Sequence, residues 1–217
     1  MKRTMIDFDK LREEQTRLSK SVIIADRFRK VETIAGIDQS YMGNDIISCI
    51  VVCNAKTLEV IETQSATVPS MIPYKPGFLA YREMPAMIEA FGKLENSPDI
   101  ILVDGHGITH PRKMGIATHV GLVLGRPTIG IAQSLITGNI ENGKIFIDNE
   151  LRGFEVRTKE HARVLYVSPG HMVSLGASLK IVQDCLRHPH KLPEPLHLAH
   201  KAARRELKER REVKAVN

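Results

Sequence analysis

A chain of 217 residues with 42% hydrophobic and 26% charged residues has the size and balance of a single domain, 1–217, with a buried core. No apolar run approaches the roughly 18 residues that span a bilayer, no apolar leader follows the basic Lys2 and Arg3, and the three cysteines form no Cys-x-x-Cys pair. These features exclude membrane and disulfide-framework classes and point to a reduced, cytoplasmic protein; the net charge of +6 points to a polyanionic partner, although residues 201–217, with seven Lys/Arg against three Glu, hold a net +4 of it.

In chain order, Phe8, Leu11, Leu18 and Val22 fall near helical spacing, with Asp7 placed to cap an N-terminal helix. Residues 33–41 form a strand, 42–45 have turn chemistry, and the very apolar 46–53 returns as the second arm of a hairpin. A third strand over 58–68 completes a meander. Residues 69–76 carry three prolines and make a stiff loop. A helix over 78–94 follows, kinked or restarted at Pro85. Then come a buried strand at 100–103, a helix at 115–125 and a strand at 127–132. Short hairpin strands are expected at 144–147, 154–157 and 164–167. Ser174 caps a helix with apolar positions 175, 179, 182 and 186, and Pro195 suits the first turn of the last helix. The chain resembles ribonuclease-H-like domains in this element order: an α/β fold whose mixed five-stranded central sheet, three antiparallel strands and then parallel ones, is flanked by helices.

Two acids stand out because of their company. Asp38 is embedded in the first strand among Ala35 and Ile37, where a carboxylate is costly unless it is paired or bound to a cation. Asp104 ends the strand 100–103, and Gly105 and Gly107 then allow a tight turn at the carboxyl edge of the sheet, where α/β folds place ligands. Adjacent strands would make these acids neighbours that repel unless a divalent cation lies between them. Oxygen donors of this kind suit Mg²⁺ or Mn²⁺. Glu83 is a candidate third acid because its helix follows the meander, although by pattern alone it reads more often as a solvated helix residue; Tyr74 reads as a loop anchor packed on the core. Among nine histidines, nearness to Asp104 ranks His106, His110 and His119 first.

Seven segments in order carry a wider resemblance. They are 35–38 (AGID), 73–83 (PYKPGFLAYRE), 103–107 (VDGHG), 110–112 (HPR), 115–121 (GIATHVG), 167–171 (VSPGH), and 192–195 (LPEP) with 198–200 (LAH). In these the chain is similar to endonuclease V, the family of deoxyinosine-directed repair nucleases, along nearly its whole length. The resemblance implies Mg²⁺-dependent hydrolysis, with Mn²⁺ as substitute, of the second phosphodiester 3′ to a deaminated purine, leaving a 3′-hydroxyl and a 5′-phosphate. It implies Asp38, Glu83 and Asp104 as metal-binding carboxylates and His200 as the active-site histidine, which moves ahead of His106. Tyr74, beside Pro73, matches an aromatic wedge inserted next to the lesion. Gly77, Gly107 and Gly121 match a base pocket lined by backbone, and His110 and Arg112 lie in matching segments that face nucleic acid.

The implied partner is deoxyinosine-containing DNA, double- or single-stranded, with inosine RNA as an alternative substrate and the protein a monomer. Many family members carry a lysine where this chain has Gln133, which donates a hydrogen bond but supplies no charge, and 138–150 is shorter than in many members. Other readings stay beside the repair nuclease: an inosine-specific ribonuclease, a broader structure-selective nuclease, a catalytically weak lesion-binding protein motivated by Gln133, and a structural partner whose basic tail docks on nucleic acid.

Overall fold

A computed structural model of the chain describes residues 6–159 and 163–216; the basic start of the chain and His161 lie outside them. The expected hairpin is present, with β1 (Thr33–Met42) antiparallel to β2 (Asp45–Asn54) around Gly43, whose φ of 64° suits a tight turn. β3 (Val60–Pro69) adds antiparallel to β2. On its other side β1 pairs in parallel with β4 (Ile100–Asp104), and β4 in parallel with β5 (Thr128–Ala132).

The sheet does not stop at the five expected strands. β6 (Asn139–Glu141), β7 (Lys144–Ile147), β8 (Glu150–Val156) and β9 (Leu165–His171) extend it to nine, in the order β3-β2-β1-β4-β5-β9-β8-β7-β6. β9 runs antiparallel along the edge of β5 that would otherwise be open. The strand expected at 164–167 runs on through Pro169-Gly170 to His171. Pro169 sits where the β5–β9 register shifts, a position that tolerates its missing N–H.

Both faces of β1 and β4 are covered, which is why these strands read as continuous apolar runs. Ile34, Ile100 and Leu102 pack with Leu196 and Ala199 of α5 (Glu194–Val216). Ala35, Ile37, Ile101 and Val103 pack with Ala80 and Met87 of α2 (Leu79–Gly92) and with Ala117 and Val120 of α3 (Ile116–Leu124). Asp7 caps α1 (Phe8–Leu18), accepting from the amides of Asp9 and Lys10, and a short 3₁₀ turn, Ser19–Ser21, ends the segment before Val22. α2 runs through Pro85 without a break, with the ring on its exposed side. Ser174 caps α4 (Leu175–Asp184) as expected. A Cβ at Gly36 would lie 2.1 Å from the Pro195 carbonyl, so glycine there lets the start of α5 rest directly on β1. No described helix is long and apolar enough to cross a membrane.

Candidate active site

Side chains alternate along a strand, so Asp38 continues the Ile34 face of β1 and Asp104 the Leu102 face of β4, both toward α5. Ile37 pairs with Val103, and one step further along both strands stand the two acids. Asp38 is 6% exposed, and its Oδ2 lies 2.7 Å from Nδ1 of His200 on α5. Glu83 comes from α2, on the opposite side of the sheet, and is only 1% exposed; it is not the solvated residue that the pattern suggests. It takes a hydrogen bond from the Tyr41 hydroxyl at the end of β1.

Asp38, Glu83 and Asp104 line one cavity of about 320 Å³, with Gln39, Tyr41, Gly77, Gly105, His106 and Gln133 among its other walls. Burial, then the charges of Asp104 and Asp38, push Glu83 up to about 7, against the lowering effect of the Tyr41 hydrogen bond. Burial and the charge of Asp38 likewise raise Asp104 above the usual carboxylate range, while the Gln133 amide, His200 and Lys191 act to lower it. Among the described residues no three acid, histidine or cysteine side chains are already gathered as a ligand set. The donors nonetheless fit a hard divalent cation: they are oxygens only, they share one cavity, and burial together with mutual repulsion penalises the charge on two of them.

The other wall is built differently. Gly77, at φ 79°, turns its carbonyl toward three donors: Gln15 Nε2 at 3.0 Å, Arg112 Nη2 at 2.9 Å and His110 Nε2 at 3.2 Å. Arg112 Nε donates to Gln15 Oε1 at 2.7 Å, and the Arg112 amide donates to His110 Nδ1 at 3.2 Å. A carbonyl can only accept and an amide N–H can only donate, so His110 is the neutral tautomer protonated at Nε2. Burial and the nearby Arg112 charge agree with this, holding His110 down to about 4. Arg112 also stacks over Phe78, 4.9 Å from the ring centroid.

Above this wall Tyr74 is 69% exposed at the cavity mouth, so it is no core anchor. Its loop is held from both ends: Arg82 Nη1 donates to the Ile72 carbonyl at 2.6 Å, and the Lys75 ammonium sits 3.8 Å over the Phe8 ring. Pro73 is exposed beside Tyr74.

Of the sequence-derived residues, Asp38, Glu83, Asp104, Tyr74, Gly77, His110 and Gln133 line the cavity, and His200 reaches it through Asp38. Gly107 and Gly121 are absent from its walls. A Cβ at Gly107 would lie 2.0 Å from the Pro169 carbonyl, and one at Gly121 2.3 Å from Thr128 Oγ1, so both are glycine for close packing against β5 and β9. His106 lines the cavity, 3.1 Å from Thr109 Oγ1, whereas His119 is buried against the Tyr81 ring. Sequence reasoning missed Gln15, Tyr41 and Lys191. Lys191 lies 3.1 Å from Gln133 Oε1, and Gln133 Nε2 lies 3.4 Å from Asp104 Oδ2.

Comparisons with known proteins show what the chain is similar to. Residues 16–201 match the family model described as Endonuclease V. The chain is 38% identical over 206 residues to an endonuclease V of Dictyoglomus turgidum, covering 91% of this chain and 89% of that one. It is 41% identical over 199 residues to one of Rippkaea orientalis, at 87% and 86% coverage. Among solved structures it is similar to an endonuclease V of Bacillus subtilis (TM-score 0.88, 32% identity, 98% of this chain and 97% of that one). It is also similar to that of Ciona intestinalis in complex with a 24-mer DNA containing an inosine followed by a ribo-adenosine (TM-score 0.85, 28% identity, 93% and 98%).

Proposed function

This chain belongs to the endonuclease V family, and from that premise we propose that it nicks DNA at deaminated purines, chiefly deoxyinosine. The bond cut is the second phosphodiester 3′ to the lesion. Water adds to phosphorus, the P–O3′ bond breaks, and the products are a 3′-hydroxyl and a 5′-phosphate. The observation that carries this reading is the convergence of Asp38, Asp104 and Glu83 from β1, β4 and α2 on one cavity. The inosine-containing DNA bound by the Ciona relative supports the choice of substrate.

Asp38, Asp104 and Glu83 would hold Mg²⁺, with Mn²⁺ as substitute. When bound, such an ion neutralises the acids and supplies an activated water and a charge for the phosphoryl oxygens. His200, held by Asp38 at 2.7 Å and partly open to solvent, orients water or phosphate. The Tyr41 hydroxyl keeps Glu83 aimed at the cavity. Tyr74, on its pinned loop with Pro73, takes the stacking place of the extruded base. Gly77 gives the pocket a backbone wall, held from behind by His110 and Arg112. Such a wall reads the edge of hypoxanthine by shape and by its O6 and N1–H, and excludes the extra amino group of guanine.

The test is a nicking assay on inosine-containing and undamaged duplexes and on an inosine-containing RNA strand, each in Mg²⁺ and in chelator. Metal-dependent product from inosine DNA, mapped one nucleotide beyond the lesion's own 3′ phosphate, is expected. Equal cutting of undamaged duplex, preference for the RNA strand or activity in chelator would overturn it. Tight inosine binding with no product in Mg²⁺ or Mn²⁺ would make the chain a binding protein instead.

A further inference from the structure

The loop before α5 brings a cation that the sequence pattern does not foretell to Gln133, a residue of the cavity wall. Lys191 Nζ donates to Gln133 Oε1 at 3.1 Å, and Gln133 Nε2 donates to Asp104 Oδ2 at 3.4 Å. The direction of this chain is chemically fixed. An ammonium only donates and a carboxylate only accepts, so the Gln133 amide must turn its oxygen to Lys191 and its NH₂ to Asp104. Without Lys191 the amide could flip or swing, since Gln133 lies exposed just past the end of β5.

The backbone that carries Lys191 is anchored by its neighbours. Leu192 and Leu196 are buried in the core with Ile34 and Ile100, the Glu194 amide donates to the Cys185 carbonyl at 2.8 Å, and the Pro195 carbonyl presses on Gly36. One segment therefore sets a basic group on each strand acid, His200 on Asp38 directly and Lys191 on Asp104 through Gln133. We propose that Lys191 is a positioning residue for phosphodiester hydrolysis: it locks the Gln133 amide so that its NH₂ holds Asp104 in a single orientation at the cavity edge. The inference rests on the nuclease reading of that cavity. Its consequence is that Gln133 and Lys191 act as one unit. An uncharged Gln133 keeps its function because the charge that orients it comes from another loop.

The experiment uses the full chain and the variants Lys191→Met, Lys191→Arg, Gln133→Ala and the Met/Ala double variant. Single-turnover nicking of an inosine duplex in Mg²⁺ is read beside duplex affinity in chelator and Tm. Groups that orient metal-site acids cost about 10- to 100-fold when removed, and Lys191→Met should slow nicking on that scale with duplex affinity and Tm unchanged. Lys191→Arg should retain most of the rate. In the Gln133→Ala background Lys191→Met should add less than about twofold, because a unit broken once is not broken again. A wild-type rate for Lys191→Met, losses that multiply in the double variant, or an effect confined to duplex affinity would each overturn the inference. If Lys191→Met lowers Tm, Lys191→Gln is read in its place. The Gln133 side-chain amide resonance, identified by its loss in Gln133→Ala, gives a readout without catalysis: it should shift in Lys191→Met, and an unmoved resonance refutes the lock. Failure of the unaltered protein to nick inosine duplex strikes the nuclease reading, whereas failure of the resonance to move strikes only Lys191.

Discussion

The two walls of the cavity are built on opposite principles. On one, Asp38, Glu83 and Asp104 crowd like charges into a buried space, and two of them are pushed well above the carboxylate range. On the other, Gln15, His110 and Arg112 share out donors and acceptors around the Gly77 carbonyl. A site that must take up a cation gains from acids left short of partners, because the ion then relieves a strain that the fold has already accepted. A wall that must recognise shape gains from the reverse, since each satisfied group is one less that can move. Substitutions on the two walls should therefore have opposite signs in stability.

The largest effect is expected on the strained wall. Asp104→Asn should cut nicking by about 10³-fold or more while leaving Tm unchanged or raised, since it removes a buried charge that repels Asp38. Single-turnover rates and thermal unfolding in chelator check both halves. An Asn variant that nicks at the wild-type rate would remove Asp104 from the metal set, and one that unfolds early would show that the carboxylate was stabilising after all.

On the satisfied wall, Gln15→Ala should cost on the order of 2 kcal/mol, because it strands the Arg112 Nε donor and removes one donor from Gly77. The rate on inosine duplex at saturation should change far less than for Asp104→Asn. Urea unfolding beside steady-state kinetics decides the matter. A Gln15 variant of normal stability that loses nicking would dissolve the contrast between the walls.

A third, smaller effect follows from pH. His110 is held neutral, down to about 4 from an ordinary 6.5, chiefly by burial. Its folded pKa lies below its unfolded one, so the unfolded chain binds the extra proton between those values. The His110 contribution to stability is full above pH 6.5 and falls as pH drops from 6.5 toward 4, by up to about 1.4 kcal/mol per pH unit, while the raised Glu83 and Asp104 act in the opposite sense, so the measure is the difference between the protein with and without His110. His110→Gln should flatten that slope while lowering stability at neutral pH. An unchanged slope between pH 6.5 and 4 would mean that His110 is not held neutral.

Both walls were partly legible in the sequence, and the gaps share one cause. Asp38 and Asp104 announce themselves as acids in apolar strands. Glu83 did so only as a candidate beside its solvated reading and Gln15 not at all, yet each occupies a position of an apolar stripe, buried on α2 and partly buried on α1. Ala80, Glu83, Met87 and Ala90 are buried at helical spacing on α2, and Gln15 follows Phe8 and Leu11 on α1 with Leu18 beyond it. A polar residue in an apolar stripe is buried along with its neighbours, and that signal would have found both. His200 came only through the resemblance, because its partner Asp38 is 162 positions away. The meander and the parallel strands were readable from local pattern. The pairing of β9 with β5 was not, since a long-range register leaves no local trace.

The smallest expected effect tests the charge that composition made most visible. The basic segment 201–217 continues as helix α5 to Val216, and it pairs many of its own charges: Arg210 with Glu206 at 2.9 Å, Lys208 with Glu212 at 3.7 Å, Arg205 with Glu209 at 3.9 Å. Exposed pairs at this spacing contribute about 0.3–0.5 kcal/mol each. Lys208 lies two helical turns beyond His200, roughly 12 Å along the axis, which exceeds a Debye length of about 8 Å at physiological salt. Its charge should hardly reach a phosphate bound at the cavity. Lys208→Ala with Arg211→Ala, the latter three residues further out on α5, should then lower stability by less than about 1 kcal/mol and change the salt slope of inosine-duplex binding by less than about one. A drop of two in that slope would put both side chains on phosphates and make the far end of α5 part of the nucleic-acid interface. A slope that stays put leaves recognition to the cavity and its pinned Tyr74 loop, where the two walls meet.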